Sequence, residues 1–274
     1  MKINIKRSVI LAGWVVLMPY ACNRDKSSSV NPAEAVVSVT QAHLYHYVIF
    51  REAEYAWGAA HRNGYTELPM SDTDGHGQRT ITYRTTESGK SEVEAAYTAW
   101  QWGNMSISGI LTVDLPDKNL YRQKDKQASI RLTGFSINGQ TVTGYATFRY
   151  AGNDSDDHYS YSFSNAAIYG ADEQQILILS SISAGNFVRK AGSDTADQDD
   201  DRWTFTGTMS GNLNNNTSLT YSNSVTEEMT FDWDCSNKAV QGKCSLAVTG
   251  QAIEYDCGAS CNDAIRINST THKK

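Results

Sequence analysis

Histidine occurs six times and proline four times in 274 residues, and the chain carries no familiar catalytic signature. A Gly-x-Ser-x-Gly elbow and a His-Glu-x-x-His helix are both missing, which removes the sequence marks of an α/β-hydrolase and of a zincin. Paired carboxylates for glycoside chemistry leave no spacing signature, because their separation is set in space. No such pair stands out here. Acidic residues outnumber basic ones, 30 to 24, giving a formal net charge of −6. That balance argues against nucleic acid as a partner. After the N-terminus no apolar run approaches the ~20 residues that a spanning helix needs. No cofactor or metal is expected.

What is present begins at the first residue. Lys2, Lys6 and Arg7 precede an unbroken apolar stretch, Val9-Ile10-Leu11-Ala12-Gly13-Trp14-Val15-Val16-Leu17-Met18. Its length suits the core of a secretory signal and is too short for a bilayer span. Pro19-Tyr20-Ala21-Cys22 follows, and this order of basic, apolar and small residues predicts a signal peptide over residues 1–22. The end of the segment resembles a bacterial lipobox, in which a small residue precedes a cysteine that receives diacylglycerol. Pro19 stands where such boxes usually carry leucine, and Tyr20 is bulky. Lipidation at Cys22 is nevertheless the reading adopted, with residues 23–35 as a flexible polar tether. A thioether lipid with N-acylation would supply the several chains that stable anchoring requires. The expected address is the cell envelope, anchored in the outer membrane on its periplasmic or surface face.

An odd number of cysteines in an exported chain calls for an explanation. If Cys22 carries lipid, Cys235, Cys244, Cys257 and Cys261 remain, crowded near the C-terminus. An oxidising compartment favours two disulfides among them over a zinc site. Three pairings are open: Cys244 with Cys257 across a turn at Gly250-Gln251, Cys244 with Cys261, or Cys235 with Cys244 beside Cys257 with Cys261.

From about residue 79 the dominant period is two, which places alternate residues on opposite faces of a strand. Met105, Ile107, Gly109, Leu111 and Val113 alternate with mostly polar neighbours, and Ala128, Ile130 and Leu132 do the same. Val142, Ala146, Phe148 and Tyr150 continue the pattern, followed by Tyr159-Tyr161-Phe163, Trp203-Phe205 and Met229-Phe231-Trp233. Fifteen tyrosines and six tryptophans agree with a β-rich chain. Asn138-Gly139 tolerates positive φ at both central positions, as a type I′ hairpin needs. Gly185-Asn186, Asn212 to Asn216 and Gly250-Gln251 mark further turns. The fold class is therefore all-β, an antiparallel meander forming a sandwich or an open barrel. Residues 36–274 form a single β-rich domain. Within it Phe50 to Trp57 predicts a short N-terminal helix, and Val36-Val37-Ser38-Val39 reads as an edge strand.

From about Met105 onward the chain resembles a group of Bacteroidota lipoproteins of unknown function. Ser108-Gly109-Ile110-Leu111-Thr112-Val113 is similar to their Ser-Gly-Lys-Ile strand. Phe135-Ser136-Ile137-Asn138-Gly139-Gln140-Thr141-Val142-Thr143-Gly144 is similar to their Asn-Gly hairpin. Cys244 to Gly250, Glu254-Tyr255-Asp256 and Gly258 to Asp263 resemble their closing Cys…Gly…Asp-Tyr-Gly-x-Gly-x-Cys-Asp-Asn pattern, with a shorter hairpin and with Cys235 and Cys257 extra. The resemblance covers about 60% of the chain. It implies an all-β envelope lipoprotein and a Cys244–Cys261 pairing, and it carries over no catalytic or binding residue.

Three polar clusters bear on chemistry. Asp72-Thr73-Asp74-Gly75-His76-Gly77 alternates metal-capable side chains, yet reads better as a glycine-rich loop. Asn153 to His158 has the oxygen density of a calcium loop without its glycine and closing glutamate. Asp194 to Asp201 is a solvated acidic run. Trp100-Gln101-Trp102 puts two indoles on one face of a strand, the candidate glycan contacts, against the reading that both are core. The functional expectation is a lipid-anchored envelope protein with a non-catalytic binding or scaffold β domain. Its candidate partners are the membrane through its anchor, a glycan, or another envelope protein. The alternative is an envelope hydrolase acting on glycan or lipid.

Overall fold

The computed structural model describes residues 31–73, 77–116, 121–152, 157–170, 175–190, 202–214, 216–232, 235 and 238–270. The expected signal segment and Cys22 lie outside them, as do residues 74–76 of the Asp72 to Gly77 cluster and residues 153–156 and 191–201 of the acidic loops.

One helix and one sheet make the fold. Helix α1 spans Pro32–Arg62, 31 residues or ~46 Å. Its ends are well specified. The Asn31 side chain accepts from the Ala33 amide at 3.0 Å, and Pro32 follows at the first helical position, where its missing N–H costs nothing. Glu34 lies in the first turn, and His61 and Arg62 in the last, each matched to the helix dipole. Asn63-Gly64 closes the helix, with Gly64 at φ 65°.

The strands are β1 Met70–Thr73, β2 Gln78–Thr85, β3 Ser91–Trp102, β4 Met105–Leu115, β5 Gln127–Ile137, β6 Gln140–Tyr150 and β7 His158–Tyr169. They continue with β8 Ile176–Lys190, β9 Arg202–Leu213, β10 Thr220–Phe231, β11 Gln241–Val248, β12 Gln251–Asp256 and β13 Arg266–Thr270. Each pairs antiparallel with its sequence neighbours, giving one meander whose outer strands, β1 and β13, do not close on each other. The open alternative of the expected fold class is the one realised. The Asn138-Gly139 turn joins β5 to β6 with φ of 52° and 73°, the signs a type I′ turn requires.

The sheet curves around the helix, which touches β2, β3, β4, β8, β10 and β13. Every residue from Ala42 to Glu54 is buried, whichever way it points. Phe50 is the hub of the core. Its ring stacks on Phe187 at 4.4 Å and meets Phe148, Tyr159, Tyr161 and Trp203 edge-on. Tyr47 stacks on Phe231 at 4.4 Å. Sharp curvature is made by bulges. At one of them β4 passes so close to β5 that a Cβ on Gly109 would lie 2.2 Å from the Gly134 carbonyl oxygen.

Four local expectations are corrected here. Val36 to Val39 is helical, and the helix is far longer than Phe50 to Trp57. From Ala42 to Glu54 the helix is enclosed on all sides and has no polar face, so the 3.6-residue alternation that betrays surface helices is absent there. Residues 32–35, placed in the tether, already belong to α1. Gly185-Asn186 is no turn but lies within β8, beside a bulge between Ile182 and Ala184.

Candidate functional site

The helix carries His43, His46, Arg51, Glu52 and Glu54 into the interior, and the sheet supplies partners for them. His46 Nε2 lies 2.9 Å from Ser180 Oγ on β8. His43 Nε2 accepts from the Asn223 amide nitrogen on β10 at 2.8 Å. Phe205 and Phe163 pack against the two imidazoles. Burial lowers both histidines to about 3, with His43 a further cause at His46, so both rings are neutral at ordinary pH. A serine beside an imidazole is the start of a nucleophile and base. Here, however, Ser180 is 1% exposed and His46 2%. His46 Nδ1 meets no acceptor among the described residues, so no carboxylate orients the ring. The pair tethers the helix to β8, inside the core.

At one end of the helix Glu54, also enclosed, accepts from Arg51, Arg122, Tyr121 and Tyr159. Burial pushes its carboxyl up, but Arg51 and Arg122 more than offset that and hold it below the usual carboxylate range. Arg122 also pairs with Asp157, which in turn receives Arg189 from β8 at 3.1 Å. Glu52 accepts from Tyr97 at 2.8 Å and from Arg79 at 3.2 Å. The Arg79 guanidinium lies between the rings of Tyr55 and Trp100, 3.8 and 4.5 Å from their centroids. Its Nη2 donates to Asp72 at 2.9 Å. Each charge is thus matched, as burial demands.

Trp100 and Trp102, the candidate glycan contacts, are both buried. Trp100 carries Arg79, and Trp102 packs edge-on against Tyr47. The paired-indole platform is corrected to core, because a bulge between Tyr97 and Trp100 turns the Trp100 ring inward.

The cysteines depart from expectation as well. Cys235 bridges Cys261, while Cys244 and Cys257 are buried thiols. The Cys244–Cys261 pairing implied by the resemblance is not formed. The β11–β12 register sets Cys244 opposite Tyr255, so Cys257, two residues on and just past the end of β12, is its diagonal neighbour. Burial pushes these thiols up, to about 11 and about 12. Lys238 closes the same corner, its ammonium donating to the carbonyls of Cys257, Ser260 and Ala239 at 2.6, 2.9 and 3.2 Å.

Open concavities lie elsewhere. One of about 450 Å³ sits near the start of α1, lined by Val37, Gln41, Tyr45, Met105 and Lys238. Another of about 350 Å³ lies on the outer sheet face, lined mainly by hydroxyl and amide side chains of β5 to β8. Among the described residues no group of three or more His, Cys, Asp or Glu could hold a metal ion. No helix among them is long and apolar enough to cross a membrane.

The period-two reading found the strands but missed His43, His46, Arg51, Glu52 and Glu54. Their one signal was their position inside an otherwise apolar stretch. No family model, curated protein or solved structure matches this chain.

Proposed function

We propose that the protein is a lipid-anchored envelope protein whose β domain binds or scaffolds without catalysing. The observation that carries the binding half is where the chemistry lies. Ser180 and His46 are enclosed around the helix and engaged with each other, and the buried carboxylates Glu52 and Glu54 are held by Arg79 and Arg122. The two open concavities described above bring no serine or cysteine beside a histidine among their lining residues. The anchoring half rests on the basic, apolar and small-residue order of the N-terminus and on Cys22. The Cys235–Cys261 bridge accords with an oxidising compartment.

Fractionation of cells expressing the wild type and Cys22→Ser tests the anchor. Release of the variant into the soluble fraction is expected, and an unchanged membrane fraction would remove the lipid. The Ser180–His46 pair keeps the hydrolase reading testable. Incubation of the intact protein with a fluorophosphonate serine probe should leave it unlabelled, and labelling lost in Ser180→Ala would overturn the non-catalytic reading.

A further inference from the structure

The outer face of β5 to β8 is an ordered field of side chains with little charge. The strand registers arrange it in rows across the sheet. Gln127, Arg149, Ser160 and Asn186 form one row, and Ser129, Thr147 and Ser162 the next. Arg131, Tyr145 and Ser164 form a third, in which Arg131 is held in ion pairs with Asp114 and Glu92. Neighbouring residues within a row are ~5 Å apart and rows ~7 Å apart, so the field from Arg149 to Tyr145 extends ~13 Å along β6.

Part of this field is concave. The bulge between Ile182 and Ala184 displaces β8, and Ala184 and Gly185 there carry little or no side chain. A depression of about 350 Å³ results, walled by Gln127, Thr147, Arg149, Ser160, Ser162 and Asn186. One same-face step beyond Thr147, Tyr145 is 45% exposed, an unusual state for a large ring. Its hydroxyl donates to Ser129 Oγ at 2.6 Å, which fixes the ring over the sheet and leaves its face to solvent. Asn186 Oδ1 engages His158 Nε2 at 3.3 Å, and its amide adds donors to the depression it lines.

We propose that this strip binds an uncharged oligosaccharide, deepening the non-catalytic binding reading on which it rests. Hydroxyl and amide side chains offer both donors and acceptors, the complement of a polyol. Among the described residues that line the depression Arg149 is the one with charge, and Asp125 lies 3.9 Å from its Nη1; Arg131, beside Tyr145, is paired with Asp114 and Glu92, so an anionic polymer finds no net attraction. The exposed Tyr145 ring offers an apolar face to the C–H side of a pyranose, while its polar tip stays bonded to the sheet. The span from Arg149 to Tyr145 suits a short chain of sugars rather than a single one.

Titration calorimetry of the full-length protein against cellohexaose, maltohexaose and mannohexaose tests this, with hexagalacturonate as the anionic counterpart. Binding of at least one neutral hexasaccharide is expected, unchanged in 0.5 M NaCl. Tyr145→Ala should weaken it roughly five- to tenfold, the loss of one stacked ring. Val37→Ser, on an exposed position of the helix, should leave it intact. Failure of all three neutral sugars to bind overturns the proposal, as does binding that Tyr145→Ala leaves unchanged. Capture of another envelope component with equal affinity by wild type and Tyr145→Ala would overturn this site while keeping the binding reading. Shortened sugars in the cell after titration would overturn the non-catalytic reading itself.

Discussion

Lowering the pH from 7.5 to 4.5 should remove about 5 kcal/mol of folding stability through His43 and His46 alone. The folded protein holds both imidazoles at about 3 because they are buried, whereas the unfolded chain binds protons at the ordinary histidine value near 6.5. The unfolded state therefore binds more protons throughout the interval between these values. The stability held at neutral pH is lost as pH falls below the unfolded value, and the loss continues until pH reaches the folded one. Each histidine contributes a slope of about 1.4 kcal/mol per pH unit within that window, or between about 2 and 3 kcal/mol by pH 4.5. Two together rival the total stability of many domains. No carboxylate relieves them: His43 faces Asn223 and Phe205, and His46 faces Ser180, Phe163 and Tyr161. Carboxylates such as Glu54, held below their usual range, add losses only at lower pH. Urea unfolding at pH 7.5, 6.5, 5.5 and 4.5 measures the slope. The double variant His43→Gln/His46→Gln keeps hydrogen-bonding capacity without titrating. It should be less stable than wild type at pH 7.5 but nearly flat between pH 6 and 4.5. A variant that keeps the wild-type slope would refute the reasoning.

Other perturbations follow from the same interior. Glu54→Gln leaves Arg51 and Arg122 without their shared carboxylate and should destabilise by about 3 kcal/mol, read as a lower urea midpoint with an unchanged slope. Cys235→Ser opens a loop of sequence separation 26 and should cost ~3.5 kcal/mol on the chain-entropy account, with the wild type in reductant falling to a similar midpoint. Cys244 and Cys257 should resist iodoacetamide at pH 8 while the protein is folded, since both are buried and neutral. In Cys22→Ser protein both should be alkylated once it is unfolded without reductant. Unfolded protein that takes no label would reveal a second bridge.

Strand positions were legible because one face of most strands is wet. The alternation in Met105 to Val113 or Tyr159 to Phe163 is the direct imprint of that asymmetry. The Asn138-Gly139 turn was legible because its backbone signs belong to those residues. Where both sides are dry the imprint vanishes. Helix α1 left no amphipathic period, so Val36 to Val39 read as a strand and Phe50 to Trp57 as an isolated helix. Trp100 and Trp102 share a face by period-two counting, but the counting cannot tell an inner face from an outer one, nor register a bulge.

The sequence by itself determined the β-rich meander and hairpins such as that at Asn138-Gly139, since each is written in local residue order. Tertiary structure alone decided what those strands enclose. Wrapping one sheet around one helix brings His46 to Ser180 across 134 residues and Glu54 to Tyr159 across 105. Such meetings depend on strand register and sheet curvature, summed over many residues, and no local pattern encodes them. The same geometry selected Cys235–Cys261 from the pairings that the cysteine count had left open. It also turned the tryptophans inward and left Tyr145 on the outside.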